Sequence, residues 1–533
     1  MNRGGTSGLL KVFHLKGFIP LLFSTASAYL HIRMSSPPTL QKLARKSLLK
    51  NEALATASLK KLPKAFFPPL FKDAFTGRQT DIIRAMVAAW PYPCLPVGAL
   101  MKIPNLKTLK AVLGGLDLLI NQKDRPSTCK LQELDLRDAQ HDFWNFWVGT
   151  EDGVCSPDVI SETPPMVHGP RRREKQVVTV WMDFSLMTTY LCKYLKYFYW
   201  WAKQRKDVVQ VMCPKLEFWD TPIFNPLMLL EVFEPSSIGE FAVNGRWTLS
   251  DLVKIAPGLG QMKNLQKIFL NGIFIPFEWL RKEKKVNKRI TEIIYQISEL
   301  KKIQHLQLNN VCFLNERLDQ VLRCLESPLE TLSITRCLLS NADMSYLSQC
   351  PSIHKLKHLD LSGVTFLNLD HLLLARLLER LTATLQTLRL KGCMILDYQI
   401  SSLLPALSQC TQLIEVNFMK NFLSVASLKQ LLQHTAKLTL LTREMYPAPD
   451  EVYDDIGDVH PDRFSQHCSE LMETLRGIRQ PKEVCFVSKR CVDLKASVMK
   501  AFENIIGSNQ TDKFSRVEMS KVPPSSVSVW PAP

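Results

Sequence analysis

The sequence predicts an α/β protein, a solenoid with a curved parallel sheet, helices on its convex side and a helical N-terminal cap. Three observations carry this. Segments of the form L-x-x-L-x-L recur from Leu265, Ile303, Leu329, Leu356, Leu385 and Leu413, and from 303 onward they start 26 to 29 residues apart. Within each segment the apolar residues alternate, as in Leu332 and Ile334, Leu359 and Leu361, or Leu388 and Leu390; that is the period of a strand with one buried side. Between segments the period becomes helical, with Leu318, Val321, Leu322 and Leu325, or Ile400, Leu403, Leu404 and Leu407, at i, i+3, i+4 and i+7. One strand and one helix per unit of this length is the longer leucine-rich-repeat pattern. Such units bury their apolar faces only against neighbours, so they stack into an open coil that offers a surface rather than an enclosed pocket. A binding protein is expected, and not an enzyme.

Each unit carries two further landmarks. The turn position usually held by Asn or Cys is Val311, Cys337, Val364, Cys393 and Asn421, and an apolar anchor follows at Phe313, Leu339, Phe366, Ile395 and Leu423. The first interval, from 265 to 303, is longer and must hold an insertion.

The N-terminal end differs. Residues 1–33 carry Arg3, Lys11 and Lys16 and an apolar run broken by Pro20, which resembles a leader. The run is too short to span a bilayer, and Met34 opens a conventional N-terminus, so 1–33 is read as an upstream extension. Residues 34–125 are expected to form a helical cap or adaptor region. A helical stretch begins at Thr39 and ends at Pro63 and the pair Pro68-Pro69; a second covers 77–90, stopped by Pro91 and Pro93. The solenoid is assigned to 126–487, starting with the strand-like LQELDLR from Leu131, with a flexible Pro-rich loop near 149–176 and a divergent tail over 488–533.

Composition narrows the class. Fourteen cysteines include no C-x-x-C pair and no zinc spacing, so reduced core thiols are expected, in a cytoplasmic or cytoplasmic and nuclear protein. No cofactor, metal or small-molecule substrate is expected, and no catalytic set stands out. The net charge of +17 raises nucleic acid as a rival partner. Its sharpest carrier is residues 193–206 (KYLKYFYWWAKQRK), which interleave bases and aromatics; the alternative is a helix whose aromatics dock on a neighbouring element.

Much of the chain resembles the family of preferentially expressed antigen in melanoma (PRAME). The resemblance rests on SLLKNEALATASLKKLPKAFFPPLF (47–71), AMVAAWPYPCLPVGALM (85–101), LKAVLGGLDLLI (109–120), HDFWNFW (141–147), RLDQVLRCLESPLETLSITRCLLS (317–340) and YPAPDEVYDD (446–455). It extends from about Met34 to about Val487, beyond which the tail departs. The resemblance implies a substrate-recognition adaptor of a cullin-2-type RING ubiquitin ligase, with elongin B/C and cullin-2 as partners alongside an unknown protein substrate. It also implies repression of transcription, of differentiation and of apoptosis, and promotion of proliferation. The alternative is a co-repressor or scaffold that binds protein partners without ubiquitination.

Two sites follow. Receptors of such ligases hold elongin C with a short helix of the form small-L-x-x-x-C-x-x-x-aliphatic; Thr39, Leu40, Ala44 and Leu48 fit this, with Ala44 in place of Cys. The other reading is an amphipathic capping helix with those side chains in its own core. A cullin-selecting element would be Leu95-Pro96-Val97. The partner-binding face is expected on the outward strand residues Gln307, Asn309, Ser333, Thr335, Asp360, Ser362, Arg389, Lys391, Asn417 and Met419, whose mixed polarity suits a protein epitope. The L-x-x-L-L stretches from Leu374 and Leu428 have the spacing of receptor-docking helices but are read as helices buried in the coil.

Overall fold

The computed structural model describes residues 39–101, 103–122, 129–148, 178–279, 281–488 and 499–502. The leader-like segment, the loop at 149–176 and nearly all of the tail lie outside these residues. The chain divides into two compact units, Met1–Asn51 and Glu52–Pro533.

In the first unit the described element is the helix Leu40–Leu49. Thr39 caps it, its hydroxyl accepting from the Lys42 N–H at 3.2 Å, which satisfies one of the donors that a helix start leaves open. The helix stops well short of Pro63; a second one, Glu52–Ser58, begins the other unit.

The second unit is a leucine-rich-repeat solenoid built on parallel strands. One sheet holds, in order, Cys94–Pro96, Glu133–Asp135, Val178–Trp181, Val209–Met212 and Phe233–Glu234. The larger sheet starts at Phe184–Leu186 and runs through Lys215–Phe218, Glu240–Val243, Lys267–Phe274, His305–Val311, Thr331–Thr335, His358–Asp360, Thr387–Arg389, Glu415–Asn417 and Arg443–Pro447 to Glu483–Val487. Met499–Phe502 adds an antiparallel strand at its end. Pairing therefore begins at Cys94–Pro96, inside the region expected to be a helical cap. Three successive units contribute to both sheets, because their extended segments break at Met182-Asp183, at Cys213-Pro214 and at the short turn Pro235–Ser237. Proline has no N–H to give to a ladder, so two of these breaks fall where pairing could not continue.

The insertion between 265 and 303 is the helix Glu283–Ser298, and Lys267 still pairs directly with His305. Behind the strands the helices Asn341–Gln349, His371–Glu379, Asp397–Leu407, Val425–His434 and Pro461–Ile478 pack each on the next. The inward leucines Leu306, Leu332, Leu359 and Leu388 are fully buried between sheet and helices. Each such burial is worth roughly 1.5–3 kcal/mol. Both L-x-x-L-L stretches lie in this core, with Leu374, Leu377, Leu378, Leu428, Leu431 and Leu432 buried.

The turn position shows why it wants Asn or Cys. Asn421 donates to the carbonyls of Leu390 and Phe418, both at 2.8 Å, and its Oδ1 accepts from the Cys393 and Ile395 N–H groups at 3.0 and 3.1 Å. One buried amide thus satisfies groups on two coils. Cys393 does part of this: its Sγ donates to the Leu361 carbonyl at 3.1 Å, and burial pushes the thiol up to about 12, keeping the proton on the donor. Asp343 is a third staple. Its carboxylate accepts from Ser340 in a capping box and from the Glu316 and Leu318 N–H groups of the preceding coil.

Towards the end of the strand or just past it, the chain enters the left-handed region at the same place in seven successive coils. The residues are Gly245, Gly272, Asn310, Arg336, Gly363, Gly392 and Lys420. At Gly272 a Cβ would also sit 2.1 Å from the Gly245 carbonyl oxygen. Glycine is the strain-free choice there and asparagine is tolerated.

Candidate protein-interaction surfaces

The helix Leu40–Leu49 brings Leu40, Ala44 and Leu48 onto one face, since they are four residues apart. Nothing on the helix is buried. Leu40 is 86% exposed, Ala44 is exposed and Leu48 is half-buried. Leu43, which the motif does not include, widens the exposed apolar strip.

Leu95-Pro96-Val97 is placed differently. All three residues are buried, and the strand Cys94–Pro96 pairs with Glu133–Asp135. The Pro96 carbonyl accepts from the Trp144 indole at 2.8 Å. A surface docking element needs side chains a partner can reach, so this tripeptide belongs to the fold. Its sequence signal, a proline-rich turn, does not separate the two roles.

The open face of the larger sheet holds the ten outward residues. Lys391 is exposed and Asn417 is buried, while Gln307, Asn309, Ser333, Thr335, Asp360, Ser362, Arg389 and Met419 are half-buried. Several of them are engaged internally. The Arg389 guanidinium donates to Glu415 at 2.6 Å, and Arg443 pairs with the other oxygen of the same buried carboxylate at 2.8 Å. Asp360 accepts from the Ser362 N–H, and Asn417 accepts from the Met419 N–H. Asn309 leaves its Oδ1 buried without a hydrogen-bond partner.

A second outward row lies two residues earlier on each strand, and the sequence reading passed over it. Its members are Lys215, Glu240, Lys267, His305, Thr331, His358, Thr387, Glu415 and Arg443, brought side by side by the register. Strict alternation back from the inward leucines would have found it. His305 Nδ1 lies 2.9 Å from the Thr331 hydroxyl and His358 Nδ1 3.1 Å from that of Thr387. Desolvation, then neighbouring positive charge, holds both imidazoles below the ordinary histidine value.

The basic aromatic segment forms the helix Lys193–Lys203. Leu195, Phe198, Tyr199 and Trp201 face inward and are buried, Trp200 is half exposed, and Trp201 donates its indole N–H to Asp117 at 3.0 Å. Lys203 pairs with Glu231 at 2.6 Å, and Arg205 pairs with Asp117. Most of its aromatic faces and two of its cations are used within the fold, as the docking alternative expected.

Among the described residues no group of three His, Cys, Asp or Glu side chains is placed to hold a metal ion, and no helix is long and apolar enough to cross a membrane.

Comparison with known proteins gives consistent matches. A family model described as the PRAME N-terminal domain matches residues 37–144, and one described as the PRAME C-terminal domain matches 178–505. The second match runs past Val487, so the resemblance reaches further into the tail than the sequence motifs indicated. Human PRAME family member 12 is 44% identical over 462 residues, covering 86% of this chain and 94% of its own. Human PRAME family member 8 is 41% identical over 460 residues, with 86% and 95% covered. Mouse oogenesin-3 is 40% identical over 463 residues, with 86% and 92% covered. Among solved structures, a crystal structure of the Rad7 and Elc1 complex in yeast aligns with a TM-score of 0.35 at 13% identity, covering 80% of this chain and 97% of that one.

Proposed function

Because the chain belongs to the PRAME family, we propose that it is a substrate-recognition adaptor of a cullin-2-type RING ubiquitin ligase, holding a protein substrate on its strand face. It does no chemistry itself in this reading; the transfer belongs to other subunits, and its action falls in the cytoplasm or the nucleus. The repression of transcription, differentiation and apoptosis implied by the family would follow from which protein it presents.

The observation that supports this reading is the exposed strip on the helix Leu40–Leu49. An apolar side chain 86% open to water on a well-capped helix is what a helix-in-groove partner covers. Ala44, small and exposed on the same face, permits a close approach of another helix. Cullin selection through Leu95-Pro96-Val97 has no support, since those side chains are buried.

The test is co-purification of elongin C with the full chain, with Leu40→Asp and with the exposed-surface control Gln433→Ala. Moving a leucine from water into a groove is worth roughly 1.5–3 kcal/mol, so Leu40→Asp is expected to weaken capture by at least about tenfold while Gln433→Ala leaves it unchanged. Capture that survives Leu40→Asp would favour the co-repressor or scaffold reading instead.

A further inference from the structure

Two of the seven left-handed positions hold long cations. Arg336 and Lys420 occupy a conformation that four other coils fill with glycine and one with asparagine. Their backbones are fixed there by the ladder; the Arg336 N–H, for example, donates to the Ser362 carbonyl at 2.9 Å. A charged side chain kept where glycine is easier signals a use for the charge.

Between them, Gly363 and Gly392 leave two coils without side chains at this level. The Arg336 stem lies across the first gap, 3.0 Å from where a Gly363 Cβ would be. Exposed Lys391 stands between the two cations on the intervening strand end. Its ammonium is held below the ordinary lysine value by desolvation, then by the charges of Lys420 and Arg336, with Asp360 opposing them. No ion pair is formed by Arg336, Lys391 or Lys420 among the described residues, whereas nearby Lys357 pairs with Glu330, and Arg389 and Arg443 share Glu415. Leu338, two residues after Arg336 and 76% exposed, and half-buried Met419, which precedes Lys420, add apolar surface to the same segments.

We propose that Arg336, Lys391 and Lys420 form a docking site for an acidic, extended peptide segment of the bound partner, with an apolar residue of that segment resting on Leu338. Three steps between neighbouring strands separate the outer cations, about 14 Å at roughly 4.8 Å per step. An extended peptide covers that in about four to five residues. An acidic peptide suits the site better than a nucleic-acid backbone, because it can set single carboxylates at the cations and an apolar side chain on exposed Leu338, which a run of phosphates leaves uncovered. The site rests on the binding-platform half of the proposed function and is independent of the elongin helix.

The probe is a fluorescein-labelled peptide with two glutamates on either side of a leucine, compared by anisotropy with the peptide in which every glutamate is glutamine. The full chain is expected to bind the glutamate peptide at least about tenfold more tightly. The variant Arg336→Gly/Lys420→Gly installs the residue that the other coils prefer, so it should melt no lower than the parent yet lose that preference. Equal affinity for the two peptides, a preference kept by the double-glycine variant, or a lowered melting temperature in that variant would each overturn the proposal. Tighter competition by a single-stranded oligonucleotide than by unlabelled peptide would overturn it in favour of a nucleic-acid ligand. Equal affinity of the parent chain for the two peptides with elongin C capture intact refutes this site alone; a peptide preference without elongin C capture refutes the ligase reading alone.

Discussion

Replacing Asn421 with alanine tests the logic of the coil directly. The amide is fully buried and uses both of its ends: two N–H groups on the preceding coil donate to it, and it donates to two carbonyls. Each buried group left without a partner costs about 1–3 kcal/mol. A water drawn into the space returns part of that, so Asn421→Ala is expected to destabilise by about 2–4 kcal/mol. Asn421→Cys should cost about half as much, since a thiol at this position still donates to the preceding coil, as Cys393 does to the Leu361 carbonyl. Asn421→Asp should be worst, because a carboxylate cannot donate to either carbonyl and carries charge into the core. Urea denaturation gives the order, and amide exchange localises it, since the Cys393 and Ile395 N–H groups should exchange faster in the alanine variant. A loss below about 1 kcal/mol in Asn421→Ala, or exchange unchanged at those two amides, would refute the stapling role.

Other outcomes follow from the same geometry. Glu444 and Arg479 form a buried ion pair in which both oxygens are used, at 2.6 and 2.5 Å, with the Tyr446 hydroxyl donating at 2.7 Å. Arg479→Ala should therefore cost about 3–5 kcal/mol, while Glu444→Leu/Arg479→Leu should recover most of it on a thermal melt. The folded-state values of His305 and His358 are depressed below 6.5. The unfolded chain thus binds protons first as pH falls through that value, and stability should drop between neutral pH and about 5.5. The melting temperature should fall less over that range in His305→Gln/His358→Gln than in the parent.

The C-terminal coils were legible because their inward positions are nearly all leucine and recur at even spacing, so Leu332, Leu359 and Leu388 announce both strand and register. The earlier coils were not. Strands such as Val209–Met212 and Phe233–Glu234 are two to four residues long, carry Phe, Val and Met in place of leucine, and break at Cys213-Pro214 and Pro235–Ser237. Pairing with neighbours fixes them, which no local period reveals. The strand Cys94–Pro96 is the sharpest case, since its partner Glu133–Asp135 lies far along the chain. On the binding face, alternation located the outward residues but could not tell which were already engaged. Arg389 looks as available as Lys391 in sequence, yet only Arg389 meets the buried Glu415. The left-handed cations Arg336 and Lys420 were hidden because the landmark there, glycine, is absent at those two coils.

The helix Glu283–Ser298 adds a long excursion on the back of one coil while the strands before and after it stay in step. Length and display are thereby decoupled: the rear can lengthen or shorten during divergence without shifting the rows in front. Relatives that differ in size there should still superpose strand for strand. Their choice of partner is then to be sought in substitutions along those rows, matched turn by turn rather than by position number.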